Sequence, residues 1–187
     1  MKFSCGIAPA LLCFLLFSCV KKEEKTEAQL SGATYFSIVQ FAEDQFHTHW
    51  GQPFTFVKTV RKNEKVDSSY VAAKDVDWAK ELKPFFESDI SNPKFLDQYN
   101  FSVLNDDVTV SKTYYYEAKT PELFTRSFQI ITDPFTDKVK NIFIETQKDG
   151  RVHKLYYTPL KLIQIQEFDK SLIGGQNNVR VEYRFLY

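Results

Sequence analysis

Only three cysteines occur in the 187-residue chain, Cys5, Cys13 and Cys19, and none follows residue 19. The rest of the chain therefore has neither a disulfide framework nor a thiolate metal site. Methionine occurs once and glycine six times, with no Gly-x-x-x-x-Gly-Lys and no Gly-x-Ser-x-Gly. A phosphate-cradling loop and a nucleophile elbow are both missing. Net charge is missing too: 24 basic side chains face 24 acidic ones, which argues against nucleic acid or a strongly charged partner. No apolar run reaches the ~20 residues that span a bilayer comfortably. Rings, by contrast, are abundant, with 18 Phe and 10 Tyr. Such numbers suit half-buried sheet surfaces and also ligand clefts.

Residues Phe3 to Phe17 form a short apolar segment behind Lys2, the pattern of a secretory signal peptide. The four residues Leu16-Phe17-Ser18-Cys19 resemble the lipobox of bacterial lipoproteins. That resemblance implies cleavage between Ser18 and Cys19, a diacylglycerol on the Cys19 thiol and acylation of the new amine. Cleavage there would remove Cys5 and Cys13 and leave the third cysteine modified. Each buried methylene contributes ~0.8 kcal/mol, so two or three chains would hold the protein on a membrane stably. Residues 1–18 are thus expected to be a signal, and 19–33 a lipidated cysteine with a solvated tether.

Val20 stands where an Asp would retain an enterobacterial lipoprotein in the inner membrane, which leans toward the outer membrane of the cell envelope. Lys22-Glu23-Glu24 is similar to the export signal of Bacteroidetes surface lipoproteins. Both periplasmic and surface-facing placements stay open.

Residues 34–187 read as one α+β domain, a size that suits a single core. Thr34 to Trp50 places Tyr35, Ile38, Val39, Ala42, Phe46 and Trp50 on one helical stripe, with Ser31 or Thr34 as cap and Gly51 and Pro53 as stop. Phe54 to Val60 and Val66 to Ala72 read as a β-hairpin; a helix continuing through Lys58 is the rival, opposed by Pro53. Asp75 to Ser88 is a second helix capped by Asp77, which Pro84 should kink or end. Asn92-Pro93 opens a short helical turn through Tyr99.

From Val108 the period becomes two, with Val108, Val110, Tyr114 and Tyr116 alternating. Strands follow near Phe124–Ile130, Lys138–Gln147, Arg151–Thr158, Leu160–Phe168 and Asn178–Tyr187. They are punctuated by Asp133-Pro134, Asp149-Gly150, Thr158-Pro159 and Gly174-Gly175. The expectation is an antiparallel meander of about six strands, with two to three N-terminal helices and the hairpin packed against it.

Trp78, Glu81, Leu82, Asp89, Ile90 and Pro93, in the order helix, hairpin, helix, strands, resemble a group of uncharacterised Bacteroidetes envelope lipoproteins. That likeness implies no activity. The alternating last strand also resembles the closing strand of outer-membrane barrels. Two amphipathic helices, too few strands, and Lys138, Lys140 and Lys154 on plausible lipid faces favour a soluble sheet instead.

No residue set points to catalysis or to a cofactor. His47 and His49 sit two apart on a helix and so point about 200° from each other, and His153 is remote, so no metal site is expected. Glu43, Asp44 and Glu81 read as solvated helix-face carboxylates. The aromatic pairs are the remaining signal. Tyr114, Tyr115, Tyr116, Tyr156 and Tyr157 split between the two faces of a sheet, and an aromatic-lined face could hold an acyl chain or stack on a sugar. With no catalytic set, the sequence favours a non-enzymatic interaction module. Its expected partners are the membrane and another envelope protein. The second reading is a carrier or sensor of an apolar ligand, lipid or glycan.

Overall fold

The computed structural model describes residues 35–49, 52–169 and 177–186. The lipobox with Ser18 and Cys19, the tether, the caps Ser31 and Thr34, and Gly174-Gly175 lie outside the described residues. Among the described residues no helix is long and apolar enough to cross a membrane.

The chain runs α1 (Ile38–His49), β1 (Thr55–Lys62), β2 (Lys65–Ala72), α2 (Trp78–Glu81) and α3 (Lys83–Glu87). Seven strands follow: β3 (Tyr99–Asp106), β4 (Ser111–Ala118), β5 (Thr125–Thr132), β6 (Val139–Lys148), β7 (Arg151–Thr158), β8 (Leu162–Asp169) and β9 (Asn177–Leu186). All nine strands form one antiparallel sheet in the order β2-β1-β9-β8-β7-β6-β5-β4-β3. It is open, with β2 and β3 as its edges.

Two expectations about the sheet change. The meander has seven strands rather than about six, because Tyr99–Asp106, which begins where the expected helical turn ends and lies outside every expected strand, is β3. The hairpin does not pack against the sheet but extends it, since β1 pairs along its whole length with β9, from Thr55↔Leu186 to Lys62↔Val179. Val108 and Val110 fall in the β3–β4 turn, Val110 at a positive φ of 48°, and not in a strand.

The local signals come through more directly. Asp77 accepts a hydrogen bond from the Lys80 amide as N-cap of α2. The expected second helix is interrupted at Leu82, with Pro84 in the first turn of α3, where its missing N–H costs nothing. Asn92 caps the one-turn helix Pro93–Phe95. Asp149 (φ 50°) and Gly150 (φ 79°) make the tight β6–β7 turn, whose two left-handed residues match the twist of the flanking strands.

A β-bulge at Arg126 shifts the register of β5 against β6 between Thr125 and Ser127. Thr125 and Phe128, three residues apart, are therefore both buried. One face of the sheet carries the core. Tyr116, Phe128, Ile144, Leu155 and Ile165 form one row across β4 to β8, and Tyr114, Ile130, Ile142, Tyr157, Ile163 and Tyr183 the next. Tyr35 and Phe36 cover the β3–β6 half. Tyr35 meets Tyr99 and Tyr116 edge-on, and Phe36 meets Phe128. Buried polar groups tie α3 to this half. Thr125 Oγ1 donates to the Ser88 carbonyl at 3.0 Å, and Tyr99 Oη donates to the Thr125 carbonyl at 3.0 Å.

Candidate ligand-binding cleft

Over the β7–β9 and β1 half, α1, the α2–α3 segment and the sheet enclose a cleft of about 930 Å³ between them, although Phe41 still meets Tyr157 and Trp78 meets Tyr183. Its residues arise from local patterning. On α1, Ile38, Phe41, Ala42 and Gln45 recur at three- and four-residue steps and present one stripe to the cleft. Opposite stand Val76, Trp78, Leu82, Phe85 and Phe86 of the α2–α3 segment. The sheet supplies Phe54 and Phe56, which alternate at β1, with Phe185, Ile163 and Tyr157 from β9, β8 and β7. Phe56 and Phe185 are register partners with ring centroids 4.5 Å apart, and Trp78 sits edge-on to Phe56 at 5.2 Å. The indole N–H of Trp78 donates to the Ala73 carbonyl at 2.9 Å, so the ring is fixed while its apolar edge faces the space. Polar lining is confined to Gln45, Gln52, Thr55, Lys74 and the Tyr157 hydroxyl. Tyr157 Oη donates to Gln45 Oε1 at 3.5 Å.

The α1 wall is held at its N-terminus by a residue from another segment. Ser37 Oγ accepts from the Gln40 amide and donates to Asp89 Oδ2 at 2.8 Å, and the same carboxylate oxygen accepts the Val39 amide at 3.0 Å. Partial burial pushes the Asp89 carboxyl up. Hydrogen bonds from Ser91, Val39 and Ser37 outweigh it and hold the group below its ordinary range. A depressed folded-state pKa gives stability that is present above about 3.9 and is lost as pH falls through the folded value. Asp89→Ala is expected to cost about 1 kcal/mol at pH 7. The gap to wild type should close in the acid range, read from urea midpoints at pH 7 and pH 2.5; an equal gap at both values would remove the capping role.

The groups with raised pKa values belong to packing. Burial pushes the Tyr99 and Tyr116 phenols up to about 12. Tyr183 is pushed up by burial and by the nearby Glu81 carboxylate. Its hydroxyl, on a residue 1% exposed, has no hydrogen-bond partner among the described residues. Lys58, 3.4 Å from Glu81, lies over the Tyr183 ring.

One hydroxyl–imidazole–carboxylate line does exist across β6, β7 and β8. Thr146 Oγ1 lies 3.4 Å from His153 Nδ1, and His153 Nε2 lies 3.2 Å from Glu167. Thr146 is 1% exposed, so a substrate has no approach to that oxygen. No group of three or more His, Cys, Asp or Glu side chains that could hold a metal occurs among the described residues. A second hollow of about 590 Å³, near Arg126 and Asp149, is walled by charges of both signs and suits an apolar molecule poorly.

The five tyrosines singled out from sequence are divided by the sheet. Tyr157 lines the cleft. Tyr114 and Tyr116 share its face but lie under the filled half, against Phe101. Tyr115 and Tyr156 point the other way, in a row with Gln129 and Phe143. Phe143 and Tyr156 meet there with tilted rings 4.5 Å apart. Phe54, Phe56, Trp78, Phe85 and Phe185 were not singled out. Alternation in β1 and β9 was visible, but nothing local shows that these strands are neighbours.

Neither a protein family nor a curated protein nor a solved structure matches the chain. The functional reading therefore rests on geometry: a sheet domain with aromatic clusters, buried polar ties and one large apolar cleft.

Proposed function

We propose that the domain carries or senses an apolar molecule held in the cleft between α1, the α2–α3 segment and strands β1, β7, β8 and β9. One observation carries this reading: about 930 Å³ of space walled almost entirely by aliphatic and aromatic side chains. Ligand sites are of this size and have this lining, with a few polar groups fixing orientation. Space in a protein core otherwise costs stability, because its lining forfeits dispersion contacts. The reading displaces the interaction module as the leading one. The row of half-buried Tyr115 and Tyr156 with exposed Phe143 on the opposite sheet face keeps that module as the second.

Its test is direct. The environment-sensitive probe N-phenyl-1-naphthylamine should bind the full chain saturably at one site, and lipid extracts should displace it. Linear, unsaturable fluorescence with no co-purifying lipid by mass spectrometry would refute the reading.

The same proposal places the domain at the outer membrane through an acylated Cys19. Cys19→Ala should then shift the protein from the membrane to the aqueous fraction. Retention of the variant on membranes would sink the anchor.

A further inference from the structure

Resting on the apolar-ligand reading, we infer that the cleft takes a single-chain amphiphile with an anionic head, a long-chain carboxylate, and that Lys74 is its counter-charge. The distribution of polarity in the lining carries this. Most of the wall that meets the helices and the sheet is hydrocarbon or ring, from Phe41, Phe54, Phe56, Trp78, Phe85 and Ile163, interrupted by Thr55 and by the Gln45–Tyr157 pair. A sugar, or any molecule with hydroxyls along its length, would leave those groups unpaired against such walls, at the full desolvation cost of each. The buried part of the ligand must therefore be a plain chain.

The one charge of the described lining sits at a rim with a second polar residue. Lys74 and Gln52 are both exposed, and they are held side by side because the Ala73 amide donates to the Phe54 carbonyl at 2.9 Å. These two residues lie just past the open end of the β1–β2 hairpin, while the Gln45 amide of α1 is engaged by the Tyr157 hydroxyl over β7. Lys74 is the one charged residue among the described lining residues. Glu43, Asp44 and Asp75 are neighbours in sequence but do not line the space. Lys58 of β1 pairs with Glu81, and neither residue lines the space. A chain entering tail-first would place its head beside the Lys74 ammonium and the Gln52 amide. That set satisfies a carboxylate and leaves an uncharged head without its strongest contact.

Calorimetric titration of dodecanoate and dodecanol into the full chain carrying Cys19→Ala, stripped of lipid, tests the inference. At low salt dodecanoate should bind about fivefold more tightly than the alcohol, the size of one partly exposed ion contact. The advantage should shrink in high salt. Lys74→Glu should abolish or reverse it, and Lys74→Arg should keep it. Equal binding of both probes, indifferent to Lys74→Glu, would overturn the assignment of the head group and leave the cleft reading standing. Failure of both probes to bind would overturn the cleft reading itself.

Discussion

Phe128→Ala is expected to cost about 3–5 kcal/mol of stability, enough to unfold much of the population of a marginal domain. Phe128 is 0% exposed and lies at the middle of the filled half, facing Phe36 and Tyr116. Removing its ring takes away the transfer energy of the side chain. It also leaves a hole that neighbours on both sides cannot close: Ile130 and Ile144 are set by the ladder, and Tyr35 and Phe36 by the segment that α1 anchors. Phe143, close by on the adjacent strand, points to the opposite face and is 40% exposed. Phe143→Ala should cost about 1 kcal/mol or less. Urea midpoints of the two variants decide the matter; similar losses at both positions would mean that the two faces have been assigned wrongly.

Ala42→Trp should do the reverse, sparing the fold and blocking the ligand. Ala42 lies on the cleft side of α1, where a larger side chain meets space and not a packed neighbour. The helix propensity lost from alanine to tryptophan is about 0.5 kcal/mol, and the apolar area newly buried offsets a similar amount. Stability should therefore stay within about 1 kcal/mol of wild type, while probe affinity falls about a hundredfold because the ring occupies the ligand's volume. A folded Ala42→Trp variant that still binds with wild-type affinity would move the ligand out of the cleft. The opposite sheet face, with Tyr115, Phe143 and Tyr156, would then be its next address. Phe128→Ala and Ala42→Trp together separate the half of the sheet that is core from the half that is vessel.

How much of this could be read from residues alone depends on how far each interaction reaches. Asp77, Asn92-Pro93 and Asp149-Gly150 act within four residues, through a cap or a fixed φ, and each lies where its chemistry requires. Strand periodicity from Tyr114 onward is equally local, and the meander follows from it. Tyr99–Asp106 escaped because Asn100, Ser102, Asn105 and Asp106 are poor strand formers. Only its position as an edge, with one face solvated, lets them be accommodated. The split of the second helix was half visible: Pro84 announced an interruption, but the break falls earlier, at Leu82, because proline is tolerated in a helix's first turn.

The cleft was not legible. Its walls come from residues as distant as Phe41, Trp78 and Phe185, and it exists because β1 pairs with β9 across more than a hundred residues. Backbone hydrogen bonding between two strands carries no trace in either strand's own sequence.

By itself, the order of residues determined an α+β domain of antiparallel strands, where its turns and caps fall, which positions alternate, and a balance of charge. Those follow from dihedral preferences and side-chain period, which act over a few residues. Tertiary structure alone decided that the hairpin joins the sheet through β9, which tyrosines are core, and that one half of the covered face is filled while the other stays open. Helix placement sets that last difference. Asp89 ties down the start of α1, and the space that remains lies between α1, the α2–α3 segment and strands β1, β7, β8 and β9.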